Sequence, residues 1–459
     1  MKRLCRASLV LSLGVFLGAC GSSTPTAPRT SATSSGGTTK VLTIAGTTIL
    51  GPGQTSQLTA RNSDGTQATG VTWTSLAPAV ATVTADGLAT GVAAGTVLIR
   101  ASAPGALGSV TLQVLGSFGS AILLSSCGAI TAPGNYVVVT DLPAPSPCFT
   151  IANVAAVHVD CQNHAMLALV VDAAQSVTIE NCVVNANVKV TNSSSVTVRH
   201  STIAHGLLWA VHSTDVLFDS NTVNGAGSNV GSLIAFEEGS GNRAVNNVLD
   251  GAYDGGPAEQ GVDDGIVLMN ETGDAIENNT IRNVFDAGIE GVDAVLDTSL
   301  TANVMSNLGE AGVASYWCTQ WTGNTVQQNT VTQAPLLAFF LYDTGPLCGA
   351  TIAPEAFDDN RFVGNVFGSM ALGRFALATA RILITLPGRA ANNLIQGNNL
   401  GSYSGPFVQP LDGFVNGGGN ICGPFDPRVS DFDCSLGPGA PAARRASAHQ
   451  EWNLQVPRR

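Results

Sequence analysis

The sequence predicts an all-β protein in two parts, a small antiparallel sandwich followed by a solenoid of short strands. Three observations predict it. Residues 40–116 alternate β-branched and polar side chains between glycine-rich turns, which is the punctuation of a sandwich. Beyond them one pentapeptide pattern recurs: ENCVV from Glu180, DSNTV from Asp219, VNNVL from Val245, ENNTI from Glu277, QQNTV from Gln327 and VGNVF from Val363. The composition agrees, since 52 glycines, 6% aromatic residues and 11% charged residues in 459 suit closely stacked strands better than helix bundles.

The N-terminus reads as a processing signal. A basic start leads into an apolar run and then Leu17-Gly18-Ala19-Cys20. This resembles a bacterial lipoprotein signal with its lipobox, which implies removal of 1–19 and lipidation of Cys20. Residues 20–39 are Ser/Thr/Gly/Pro-rich, a flexible tether without a core. Gly21 rather than aspartate follows the cysteine, which in a Gram-negative cell favours the outer membrane. The expected location is therefore the cell envelope, with membrane contact through the lipid.

Export agrees with the cysteines. Setting aside Cys5 and Cys20, eight remain as sequence-local pairs: Cys127 and Cys148, Cys161 and Cys182, Cys318 and Cys348, Cys422 and Cys434. In an oxidising compartment these read as disulfides. A formal net charge of -12 argues against nucleic acid, which needs a basic stripe.

Within 40–116 the segments GQTSQLTA (53–60), VTWTS (71–75), PAVATV (78–83), DGLATGVAAGTVLI (86–99) and GSVTLQV (108–114) resemble the bacterial Ig-like domain, group 2. The resemblance implies a surface stalk or adhesion module. Trp73 is expected in its core.

Aligning the pentapeptides on their third residue gives Cys161, Cys182, Ser201, Asn221, Asn247, Asn279, Asn303, Asn329, Asn365 and Asn398. A repeat near 20 residues with insertions is a solenoid. One residue type at one position of each turn makes a column, and stacked asparagines hydrogen-bond as a ladder. That accounts for a polar residue inside an apolar run. The pattern over 120–425 resembles the right-handed parallel β-helix of the pectin-lyase-like superfamily. Its members include lyases, hydrolases, epimerases and binding proteins, so the resemblance speaks for fold more than for activity. The Asn-Thr-Asp, Gly-His-Gly and Arg-Ile-Lys signature of its pectin-hydrolysing members is absent. Residues 426–459 form a C-terminal clamp and tail.

The same register yields candidate sites. Asp263, Asp286 and Glu310 fall in one column, which by count also takes in His205. Stacked carboxylates repel unless protonated, screened or metal-bound, and calcium favours such oxygen clusters. A solvated acidic edge is the alternative. A second column holds Trp209, Val267, Glu290 and Ala314. Glu290 with Asp264, Asp286 or Asp293 is a candidate acid/base pair, Arg282 a nearby cation and His205 a further catalytic candidate, and Trp209 and Tyr316 are candidate sugar contacts. Trp209 is otherwise packing beneath a loop. The expected function is a monomeric, lipid-anchored surface protein whose β-helix binds, and cleaves or epimerises, an acidic polysaccharide. The alternative is a non-catalytic adhesion or structural module.

Overall fold

The computed structural model describes residues 40–421, apart from 63, 105, 115–120, 227–229, 256–260, 341–355, 371–381, 385–389, 400–407 and 410–412. Cys20, Cys348, Cys422, Cys434 and the side chains of Tyr316 and Cys318 lie outside the described residues. The expectations for them rest on sequence alone.

The N-terminal part is a β-sandwich. One sheet joins the strands Lys40–Val41, Ala106–Val114, Gly95–Ala103 and Thr72–Ser75, with Ile49–Leu50 paired to Ala106–Val114. Facing strands are Thr55–Gln57, Leu88–Gly91 and Ala81–Val83. Trp73 packs against both apolar clusters of the sandwich, one around Leu58, Ala89 and Ile99 and the other around Leu42 and Ala101. It is a core residue, as the sequence predicts.

From Ile122 onward the chain winds as a parallel β-helix. Each turn contributes one strand to a first sheet (13 strands, beginning Ile122–Leu124), then to a third (nine strands, beginning Ala165–Met166). It then enters a second sheet (14 strands, beginning Gly128–Ile130). One turn shows the order: Ala155–Asp160 in the first sheet, Ala165–Met166 in the third, Leu169–Asp172 in the second. Pairing between turns is parallel throughout. Inward side chains, among them Val171, Val190, Phe236 and Leu268, fill one continuous core. At Gly291 the inward column narrows, because a Cβ there would lie 2.5 Å from the Trp321 ring. Trp321, fully buried, takes the space a side chain would have occupied.

The ladder runs as the pentapeptides predict. The Cys161–Cys182 disulfide, with Cα atoms 4.8 Å apart, heads it. Cys182 N donates to Ser201 Oγ (3.1 Å), and Ser201 N to Asn221 Oδ1 (3.0 Å). From there each backbone N–H donates to the next asparagine's Oδ1, through 247, 279, 303, 329, 365 and 398 to Asn420. The residue before each step is left-handed, with φ of 56° at Asn278 and 55° at Gln328, which turns the chain from one sheet to the next. Asparagine tolerates that conformation better than most residues, which explains doublets such as Asn278-Asn279.

A second ladder stands five residues earlier in each turn. It passes from the Val216 N–H, which donates to Asn242 Oδ1, through Asn242, Asp274, Thr298, Asn324 and Asn360 to Asn393. Its signal is a polar residue at a fixed offset from the first ladder, as in NTVQQN (324–329) and NLIQGN (393–398). The mixture of residue types hides it from a search for repeats. The Cys127–Cys148 disulfide, with Cα atoms 4.6 Å apart, closes near the start of the helix as the local pairing predicts.

Candidate active site

The acidic residues gather where the third sheet turns into the second. Asp286 N donates to Asp263 O (2.7 Å) and Glu310 N to Asp286 O (3.0 Å). Asp263, Asp286 and Glu310 therefore stack on adjacent turns as the register predicts. Asp286 and Glu310 are buried, at 7% and 2% exposure, and Asp263 is half-buried. Among the described residues no three or more His, Cys, Asp or Glu side chains converge to hold a metal ion.

The carboxylates that do meet are Asp264 and Glu290. Strand alternation alone would turn Asp264 into the core, but the corner breaks the alternation. Gly265, Gly288 and Gly312 point inward, each toward a buried side chain (Ile281, Met305, Val331), and the residues after them, Ile266, Ile289 and Val313, are core residues too. At the matching register stand the core residues Leu233 and Leu337. Two successive inward positions leave Asp264 on the same side as Glu290. Asp264 Oδ1 accepts the Ala287 N–H at 3.0 Å. Burial holds its carboxyl well above the usual carboxylate range, reinforced by the charge of Glu290, by a hydrogen bond to it and by Asp286. Asp264 therefore keeps its proton and donates it to Glu290. Glu290 is the half-exposed member of the pair.

Tyr253 is a neighbour of this corner that sequence reasoning missed, close enough to feel the charge of Asp286. Its ring packs edge-on to Phe285, with centroids 5.6 Å apart. Burial first, then the charges of Asp254 and Asp286, push its hydroxyl pKa up. The loop is tied down by Asn283 O, which accepts Tyr253 N (2.7 Å), and by Asn307 Nδ2, which donates to Tyr253 O (3.1 Å). It belongs to an insertion that lengthens one turn, and insertions carry no periodic signal.

The outward column runs Lys189, Trp209, Ala235, Val267, Glu290, Ala314 by direct strand pairing. Lys189 Nζ lies 4.1 Å from the Trp209 ring centroid, so one face of this indole carries a cation. Beside it run Val211, Glu237, Met269 and Val292. Burial raises the Glu237 pKa. Two other expected site residues are engaged elsewhere. Arg282 Nε donates to Asp250 Oδ2 (2.9 Å) on the third sheet. His205 is exposed, and its Nδ1 contacts the Ala226 carbonyl.

A second carboxyl pair, Glu271 with Asp274 of the second ladder, is structural. Glu271, fully buried, accepts Gly239 N (2.8 Å) and Asn242 Nδ2 (2.9 Å). Asp274 Oδ1 accepts Asn242 N (2.7 Å). Burial, then Asp274, pushes Glu271 up to about 9, and burial pushes Asp274 to about 6. Glu271 keeps a proton and donates it to Asp274.

The fold and this corner define a parallel β-helix with a carboxyl cluster at the mouth of its second sheet. Residues 187–367 match the family model for the right-handed beta helix region, and 38–111 match that for the bacterial Ig-like domain (group 2). The chain joins a bacterial Ig-like domain to a right-handed parallel β-helix. Among solved structures it is similar to PfbA, a surface adhesin of Streptococcus pneumoniae, at 12% identity over 58% of this chain and 76% of that one, with a TM-score of 0.42. It is also similar to the catalytic domain of a GH87 alpha-1,3-glucanase in complex with nigerose, at 11% identity over 69% and 63% of the chains, TM-score 0.40. A tailspike protein of E. coli bacteriophage HK620 in complex with a pentasaccharide follows, at 12% identity over 64% and 60%, TM-score 0.36. At these identities the likeness is one of fold. No curated protein matches the sequence.

Proposed function

We propose that this is a lipid-anchored protein of the bacterial cell surface whose β-helix binds a polysaccharide along the second sheet and cleaves it at the Asp264–Glu290 corner. The observation that carries the reading is the meeting of two carboxyls in unlike surroundings: a buried Asp264 hydrogen-bonded to a half-exposed Glu290, with Asp286 alongside. Glycosidic cleavage needs a carboxylic acid still protonated near neutral pH and a second carboxylate to activate water. In this reading the proton held by Asp264 passes through Glu290 to the departing glycosidic oxygen, leaving Asp264 ionised until solvent returns a proton to the pair. Asp286 takes a proton from water as the water oxygen bonds the anomeric carbon and the old C–O bond breaks. The outward column between Trp209 and Glu290 is the track along which the chain of sugars lies.

The test is release of reducing ends from a panel of polysaccharides by the full chain and by Glu290→Gln and Asp286→Asn. General acid/base groups contribute about 10²–10⁴-fold, so each variant should lose at least about a hundredfold while still retaining the polymer in an affinity gel. Retention without turnover by the native chain would leave the non-catalytic adhesion reading in its place.

A further inference from the structure

We infer that the outward face of the third sheet is a contact between two copies of this chain, packed side by side about a two-fold axis that runs along the β-helix. The inference does not depend on the cleavage reading. It starts from one column of that sheet. Strand pairing sets Thr222, Val248, Thr280, Val304, Thr330 and Val366 turn above turn. Their strand neighbours Ile281 and Met305 lie in the core, so the column points out. Val248, Val304 and Val366 stand 38%, 47% and 37% exposed. Every member is β-branched, with few rotamers to lose on contact.

The columns on either side carry little charge. Among their described residues from Ser220 to Thr332 the charged ones are Asp250 and Arg282, which bond each other (2.9 Å). The outward face of the first sheet is different, with Glu180, Arg199, Asp219 and Glu277 in one column. That is an ordinary solvated face. In a chain of net charge -12, an open face of valine, threonine and amides marks an interaction surface.

The pattern fits a second copy of the same face. Lay a two-fold axis along the Val/Thr column, parallel to the helix axis. Each turn then meets the same turn of the other copy with its strand reversed. Column residues meet themselves, valine on valine and threonine on threonine. The residue two places before the column meets the residue two places after it. Asn246 thus faces the partner's Asp250, Asn278 the partner's Arg282 and Gln328 the partner's Thr332. An amide can donate to the carboxylate and accept from the guanidinium, and no like charges are opposed. An isologous contact requires such self-complementarity. Nine strands at about 4.8 Å make the face roughly 40 Å long, and three outward columns make it roughly 14 Å wide. Two such faces bury about 1,100 Å², just above the roughly 1,000 Å² that a specific interface needs. The dimer should therefore be a weak one, exchanging at micromolar concentrations. The same axis leaves both N-termini at one end. Two copies held in one membrane by the proposed anchors would gain effective concentration from it.

The experiment measures the molar mass of the full chain in detergent by light scattering over a wide concentration range. The expected result is a rise from one copy to two. Val304 lies on the axis, so Val304→Lys sets two ammonium groups face to face. It should weaken association at least about tenfold, and Val304→Glu should do the same. Mixing the two variants sets opposite charges face to face and should restore the two-copy mass. Val363→Lys makes the same change on the outward face of the first sheet and should associate like the native chain. Thr222→Lys and Thr222→Glu repeat the charge swap at a second turn. All these positions lie at the surface, and an unchanged melting midpoint checks that each variant folds. A native chain that keeps the mass of one copy at the highest concentration would overturn the inference. So would association undiminished in Val304→Lys, or lost equally in Val363→Lys. Charge-swap mixtures that associate no better than their components, at both 304 and 222, would overturn the two-fold arrangement and the inference with it.

Discussion

Replacing Asn279 by leucine tests the ladder at its best-connected rung. Asn279 is fully buried. Its Oδ1 accepts Asn247 N (2.9 Å) and Asn247 Nδ2 (3.0 Å), and its Nδ2 donates to Asn303 Oδ1 (3.0 Å) and Ala244 O (2.8 Å). Leucine removes all four bonds, but the groups left behind fare differently. Asn247 Nδ2 keeps Phe218 O at 2.8 Å, and Asn303 Oδ1 keeps Asn279 N at 3.0 Å. Asn247 N and Ala244 O lose the partner the ladder supplied. Two stranded buried groups at about 1–3 kcal/mol each set a gross cost of about 2–6 kcal/mol. Leucine returns roughly 1.5–3 kcal/mol by burying its own apolar surface. The net loss should be on the order of 1–3 kcal/mol.

The readout is the denaturant midpoint of Asn279→Leu, Asn303→Leu and their double variant, beside the distant pair Asn221→Leu and Asn329→Leu. The 279–303 bond can be lost only once. The adjacent double should therefore be less destabilised than the sum of its singles, by roughly 0.5 kcal/mol or more, while the distant pair adds. An unchanged midpoint in Asn279→Leu, or an adjacent pair that adds as well as the distant one, would refute the ladder as a source of stability.

The Glu271–Asp274 pair makes stability fall with rising pH. Folded Glu271 binds its proton up to about 9 against 4.5 unfolded, and Asp274 to about 6 against 3.8. The native state thus holds more protons than the unfolded one across that window, and stability is lost as pH rises through it. Thermal melts of Glu271→Gln should show a flatter slope between pH 5 and 9 than the native chain. Gly291→Ala should cost about 1–3 kcal/mol in the same denaturant assay, since its new methyl meets the Trp321 ring. Calcium added at constant ionic strength should leave the melting midpoint unchanged, and a calcium-dependent rise would show that the Asp263–Asp286–Glu310 column holds the ion after all. Cys20→Ala should move the protein from the membrane fraction to the soluble one on fractionation, because the acyl anchor supplies the expected membrane affinity.

Much of this protein was legible before folding because a solenoid converts sequence period into vertical stacking. A residue recurring at one phase of each turn must form a column. The Asn221-to-Asn398 ladder, the Cys161–Cys182 bridge, the Asp263–Asp286–Glu310 stack and the outward row from Trp209 to Glu290 could therefore all be counted along the chain. Phase does not specify direction at a corner. At Gly265, Gly288 and Gly312 two successive residues turn inward, and only that bend brings Asp264 to Glu290. Nor does phase record what an insertion covers or which neighbour captures a charge. The loop carrying Tyr253, the pairing of Arg282 with Asp250 and the proton shared by Glu271 and Asp274 depend on side chains meeting across turns of unequal length. Period set the columns of this β-helix, while contact geometry at its corners decided which carboxyls share a proton.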